Sequence, residues 1–231
     1  MSTQNQSPGA PTTTTTSSAF RKFIDHKIAC RGPEEISAIL YEYLVAGNGL
    51  FVRAERNEFA ATLPLFAGQI KCLPDAKIGI TWRRPRIGGY LWREILLDAR
   101  HKSTSSDFKE DVYVIYWHKA TRAWSWKAVG RERQWARAVA DDTLPEYGEA
   151  CIELHTHPPG AIHFSGTDDA DESGKFRIFA ILIDIHDTPK IRFRCGIYDH
   201  FFPVPAAWIG DLPDALVDLT EIDQIVQKLF I

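Results

Sequence analysis

The chain has 231 residues, of which 45% are hydrophobic and 25% charged, and a formal net charge of −3 at pH 7. Such a chain can bury a real core without disulfides, as one large domain or as a small domain beside a medium one. Its slight negative charge excludes a global basic field for nucleic acid or anionic lipid. The local basic stretches at Arg83, Arg84 and Arg86 and at Arg131, Arg133 and Arg137 come with no recognition motif and read as solvated faces.

Residues 1–19, "MSTQNQSPGAPTTTTTSSA", are polar and of low complexity, which predicts a disordered tail. They hold no apolar signal-peptide region, and no stretch approaches the ~18 apolar residues of a membrane span, so a cytoplasmic protein is expected. A helix is predicted over 33–47: Pro33 and two acids suit a first turn, Ile36, Ile39, Leu40 and Leu44 line one face, and Gly47 ends it. The next segment, "GLFVRAERNEFAATLPL", reads as two strands joined at Arg56-Asn57. Proline-bearing "WRRPRIGG" suggests a boundary near residue 85, between a small N-terminal α+β subdomain (20–84) and a main domain (85–231).

In the main domain "GYLWREILLDARHK" predicts a helix with Leu91, Ile95, Leu96 and Tyr90 at helical intervals. "DVYVIYWHKATRAWSWKAV" predicts a hairpin around His118 to Arg122, whereas "QWARAVADDTLPEYG" suits either a helix or a loop. "EACIELHTH" alternates as a strand does, "SGTDDADESG" resembles a short capped helix, and "FRIFAILIDI" and "KIRFRCGIYD" are further strands. The C-terminal "DLPDALVDLTEIDQIVQKLFI" reads as partly helical. Strands in runs with helices around them make this an α+β layout.

Chemistry concentrates in "CIELHTHPPGAIHFSGTDDADE", Cys151 to Glu172. Alternate residues of a strand point to one side, so His155 and His157 aim two imidazoles together. Asp168 follows Ser165 by three residues, the spacing of an N-cap serine and the third residue of a helix. Two neutral nitrogens and one carboxylate suit a catalytic zinc, which takes three protein ligands and leaves a fourth position for water. Each part has a blander meaning. A lone His-x-His is more often not a metal site, Asp168 alone is a helix-capping acid, and "DDADE" is a solvated first turn. Cys30, Cys72, Cys151 and Cys195 are scattered without a CxxC pair, so free thiols in a reducing compartment are expected. No cysteine lies at the right distance to close a structural zinc site unless Cys151, which has the strand parity of His155, folds back from its strand.

Several His-x-His families fail on spacing. A cupin needs a glutamate where Ala161 stands, a metallo-β-lactamase needs an Asp-His pair where Pro159 and Gly160 stand, and the amidohydrolase-type barrels need more chain than follows His157. The motif resembles that of the JAB1/MPN/Mov34 metalloenzymes, the JAMM proteases, over about residues 85–200. Their signature is a glutamate, then His-x-His-Pro, then Ser-x-x-Asp. Here it reads "HTHP" (His155 to Pro158) and "SGTD" (Ser165 to Asp168), with the ten residues Pro158 to Thr167 between His157 and Asp168.

That resemblance implies an MPN/JAB-like mixed sheet flanked by helices, in a cytidine-deaminase-like three-layer arrangement. It implies one Zn²⁺ per chain held by His155, His157 and Asp168, with water in the fourth position and Ser165 hydrogen-bonding the oxyanion. It also implies an upstream glutamate at the head of a strand as the general base. Glu110 lies 45 residues before His155, after the predicted helix and before "VYVIYW", and is the candidate; Lys109 and Asp111 around it also suit a plain solvated strand start. Glu94, inside the helix, and Glu153, on the strand of His155, are the alternatives. The reaction implied is hydrolysis of a peptide or isopeptide bond.

"FSGTDDADESGKFRIFAILI" also resembles the protein A family of the bacterial PRTRC system, a gene set that includes a ThiF/E1-like protein. That implies a ubiquitin-like or sulfur-carrier tail as substrate and a ThiF/E1-like partner. His163 could line the site or be a plain loop histidine. A second class of function stays open, an inactive MPN-type scaffold that binds protein partners; such members usually lose a ligand, and this chain keeps all three.

Overall fold

Extended segments, some alternating between buried and half-buried side chains and others buried on both faces, form two mixed sheets. The computed structural model describes residues 21–30 and 35–220. The first sheet runs in the order β1 (Ile24–Ile28), β2 (Tyr41–Ala46), β3 (Gly49–Glu55), β4 (Phe59–Ala67), β5 (Gly79–Trp82), with β1 parallel to β2 and the rest antiparallel. The second has the order β13 (His200–Val204), β12 (Lys190–Ile197), β11 (Phe176–Ile183), β10 (Ile152–Thr156), β6 (Val112–His118), β7 (Ala123–Ala128), and β14 (Val217–Asp218) also pairs with β12. A separate hairpin joins β8 (Gly130–Gln134) to β9 (Arg137–Ala140). Helices are α1 (Gly89–Lys102), α2 (Pro145–Glu149) and α3 (Gly166–Glu172). The molecule is a mixed α+β protein dominated by strands.

The two sheets share one core. Val52, Ala54, Phe59, Ala61 and Leu63 of the first sheet pack in one cluster with Leu91, Trp92, Ile95, Leu96 and Ala99 of α1 and with Ile152, Leu154, Ile178, Ala180 and Phe193 of the second. Each such side chain is worth about 1.5–3 kcal/mol on full burial. The opposite face of the second sheet meets α2, α3 and the hairpin: Val112 and Val114 pack with Val129, Ala138, Ala140, Leu144 and Tyr147. The outer face of the first sheet is covered over Leu44, Ala46 and Phe51 by Ala76 and Ile78 of the long β4–β5 connection.

The helix expected over 33–47 is not formed in the described residues: 35–40 is irregular and 41–46 is β2. Period two wins there because buried Glu42, Leu44 and Ala46 alternate with half-buried Tyr41, Tyr43 and Val45, each set on its own face of the sheet. Fully buried Glu42 stands opposite Arg53 of β3 and accepts a hydrogen bond from its Nε at 2.5 Å. An acid from the middle of the expected helix is instead half of a cross-strand ion pair. The regular elements in the described part of 20–84 are therefore strands alone, β1 to β5, rather than α+β. The expected hairpins at 49–67 and 112–128, and α1, form as read, except that Tyr90 is 54% exposed while Trp92 and Ala99 are buried. In the ambiguous stretch 134–148 the chain makes β9 and then α2. The expected C-terminal helix and the tail 1–19 fall wholly or partly outside the described residues; within them 217–218 is β14. No helix among the described residues is long and apolar enough to cross a membrane.

Candidate metal centre

The topology of the second sheet brings the candidate residues together. β10 and β11 are parallel neighbours, so the chain between them must cross over, and it does so through the 157–165 loop and α3. β10 and β6 are antiparallel, so the end of one adjoins the start of the other. His155 stands opposite Val112, and Thr156 N–H donates to Asp111 O at 3.0 Å. One step further in the same register, Glu110 comes opposite His157. Cross-strand partners point the same way, which puts Glu110 on the face of both histidines.

The ligand atoms converge. The Nε2 atoms of His155 and His157 lie 2.8 Å apart, Asp168 Oδ1 is 3.1 Å from His155 Nε2, and Asp168 Oδ2 is 3.5 Å from His157 Nε2. Ligands about 2.0–2.1 Å from a tetrahedral zinc stand roughly 3.3 Å from each other, so this spacing suits such an ion. His157 Nδ1–H donates to Ala161 O at 2.9 Å, which keeps a proton on Nδ1 and makes Nε2 the nitrogen that can offer an electron pair to a cation once it gives up its own proton. The donor set fits a cation of borderline softness. Among the described residues these three form the group with metal-ligand spacing. Cys151, offered as a closing ligand, is fully buried in the shared core, where burial pushes its thiol up to about 12 and Sγ–H donates weakly to Glu149 O.

Ser165 and Asp168 form a capping box. Asp168 N–H donates to Ser165 Oγ at 3.2 Å, and Ser165 N–H donates to Asp168 Oδ2 at 2.5 Å. Ser165 Oγ accepts there, so its own O–H is left to donate. Burial would raise Asp168, but hydrogen bonds from His155 and His157 hold its carboxyl well below the usual range. Burial pulls His157 down, and hydrogen bonding to Asp168 and to Ala161 O outweighs it, so its pKa is raised.

Glu110, 6% exposed, lines the same cleft of about 510 Å³ as His155, His157, Ser165 and Asp168. Burial raises its carboxyl to about 7, with the nearby His157 charge opposing and Asp168 reinforcing the shift. Neighbouring Asp111 does not make a solvated strand start. It is 2% exposed, Lys102 Nζ and Arg133 Nε lie 3.3 and 3.2 Å from its Oδ2, and its N–H donates to Thr156 Oγ1 at 2.9 Å. The alternatives are occupied elsewhere. Exposed Glu94 lies on α1, on the opposite side of the sheet, and accepts from Trp126 Nε1 at 2.8 Å. Glu153 lines the cleft but is committed to Arg177 at 2.6 Å, to Lys175 at 3.3 Å and to Tyr147 Oη–H at 3.1 Å. His163 is an exposed residue of the cleft wall.

The sequence reading missed the supports of the site: buried Asp111, Thr156 and Glu172, and Arg192 and Arg194 on β12. A signal existed in "KIRFRC", where two arginines alternate with apolar residues and so share one face of a buried strand. No family model, curated protein or solved structure matches the chain.

Proposed function

We propose that the protein is a zinc-dependent metallopeptidase of the JAMM type, hydrolysing a peptide or isopeptide bond, on a main domain of MPN/JAB-like, cytidine-deaminase-like three-layer architecture. One observation carries the reading: His155, His157 and Asp168 converge on one point, and a buried glutamate with a carboxyl near neutrality stands across from them in the same cleft. His155, His157 and Asp168 would hold one zinc ion. When bound, zinc supplies a Lewis acid that activates water near neutral pH. Glu110 acts as the general base and then as the proton donor to the leaving amine, a task suited to a carboxyl of pKa about 7. Ser165 donates its O–H to the developing oxyanion from the N-cap of α3. The Ala161 carbonyl fixes the His157 ring, and the 130–140 hairpin walls the cleft where an extended chain would lie.

The substrate class that accompanies this reading is the tail of a ubiquitin-like or sulfur-carrier protein, with a ThiF/E1-like protein as partner in a bacterial cytoplasm. It rests on the motif resemblance. The decisive experiment is elemental analysis of full chain purified without chelator or metal-affinity tag, beside Asp168→Ala, coupled to hydrolysis of fluorogenic peptide and isopeptide conjugates. About one zinc per chain, absent from the variant, together with zinc-dependent cleavage, is expected. Wild-type protein that takes up no zinc after incubation with it would sink the enzyme reading and leave the MPN-type scaffold that binds protein partners.

A further inference from the structure

Arg192 and Arg194 alternate on β12 and point to the face of the sheet that carries α3 and the 157–165 loop. Arg194 is 7% exposed. Its Nε donates to Glu172 Oε2 at 2.7 Å, its Nη2 lies 2.6 Å from the same oxygen, and its Nη1 donates to Asp169 Oδ1 at 2.5 Å. The guanidinium is also held between two rings, 3.9 Å from the centroid of Phe164 and 4.2 Å from that of Phe201. Phe164 in turn meets the His155 ring edge-on at 6.5 Å between centroids. Arg192 Nε donates to Ile162 O at 2.8 Å. Every one of these contacts except Phe201 is to the stretch that joins His157 to Asp168 and continues through α3.

Asp168 sits in the first turn of α3, so it goes where α3 goes. A seven-residue helix is too short to hold itself. A single guanidinium that hydrogen-bonds Glu172 and Asp169 while pressing on Phe164 fixes the chain on both sides of Asp168. We propose that Arg194 is a positioning residue of the metal centre: it docks α3 and Phe164 on β12 and so holds Asp168 at ligand distance from His155 and His157. This rests on the metal reading above. Lysine cannot stand in for it, because one ammonium neither reaches two carboxylates as a planar fork nor stacks between rings.

The test is cobalt(II) titration of the metal-stripped full chain, read by the visible ligand-field bands, for wild type, Arg194→Lys, Arg194→Met and Leu63→Ala. Leu63, on β4, lies in the core shared by the two sheets and outside the lining of the metal cleft, and serves as the control for lost stability. Both Arg194 variants are expected to weaken cobalt binding about 10–100-fold, the range for groups that orient metal ligands, and to alter the bands. Leu63→Ala is expected to lower Tm and leave Kd and spectrum unchanged. If Arg194→Met does not fold, Arg194→Lys carries the comparison. A folded Arg194→Lys with wild-type Kd and bands overturns the inference, and so does an equal loss in Leu63→Ala. Wild-type protein that binds neither cobalt nor zinc overturns the metal reading itself, a separate outcome seen before any variant is compared.

Discussion

Glu110 has two separable consequences, because its carboxyl lines the cleft of the His155, His157 and Asp168 cluster without belonging to it. Glu110→Gln is expected to keep wild-type zinc content and lose at least about 100-fold in turnover, the lower range for a general base, whereas His157→Ala loses both. Metal analysis beside a hydrolysis assay checks this, and undiminished turnover in Glu110→Gln moves the base elsewhere. The metal-free protein should also have a characteristic pH dependence. His157, raised above its ordinary 6.5, adds stability that is present below 6.5 and lost as pH rises through its folded value. Asp168, lowered from 3.8, adds stability that is present above 3.8 and lost as pH falls through its folded value. Glu110, raised from 4.5 to about 7, acts in the same direction as His157: its contribution is present below 4.5 and gone above about 7. Metal-free protein should therefore be most stable toward denaturant at about pH 4 to 4.5 and weaken steadily toward pH 8, with a flatter profile in Asp168→Asn. Zinc should reverse the preference, since protons compete with it for the imidazoles.

At the scale of elements, α1 and β2 show why one helical pattern is realised and the other is not. In α1 Leu91, Trp92, Ile95, Leu96 and Ala99 form a wide apolar stripe pressed against both sheets, and Arg100, His101 and Lys102 suit its C-terminal end. Ile95→Ala should lower unfolding stability by about 2–5 kcal/mol in denaturant melts, as expected for truncation in a packed core. The 33–47 segment has helical spacing too, but its apolar residues also satisfy a period of two. Neighbouring strands on both sides and the buried Arg53 opposite Glu42 settle the choice. α3 is the reverse case. Its sequence signal is short, yet the capping box was readable because the groups that make it are three residues apart.

Over the whole molecule, the 85 boundary lies in the connection between β5 and α1, while the core runs across it. Phe59 of the first sheet packs on Phe176 of the second at 4.9 Å, and Trp82 on Trp124 at 5.5 Å. Arg56 donates from Nη1 to Ala150 O at 2.7 Å and from Nη2 to Glu149 O at 3.1 Å, just ahead of the strand that ends in the histidines. Residues 85–231 expressed alone should therefore fail to give a cooperative unfolding transition, because α1 and the second sheet would expose the surface that Val52, Phe59, Ala61 and Leu63 cover. A sharp melt for that fragment would show the sheets to be independent.

The sequence by itself determined the cluster of His155, His157 and Asp168 and the capped turn that delivers Asp168, since residues two, three and eleven apart are related by strand parity, helix capping and a short loop. It also determined α1 and the two longer hairpins, where one period dominates. Only the tertiary structure decided that Glu110 rather than Glu153 faces the histidines without a committed cation, that Asp111 is buried, and that Arg194 braces α3. Those facts depend on which strands pair and in what register. Register comes from the packing of whole sheet faces and leaves no local mark on the residues it brings together.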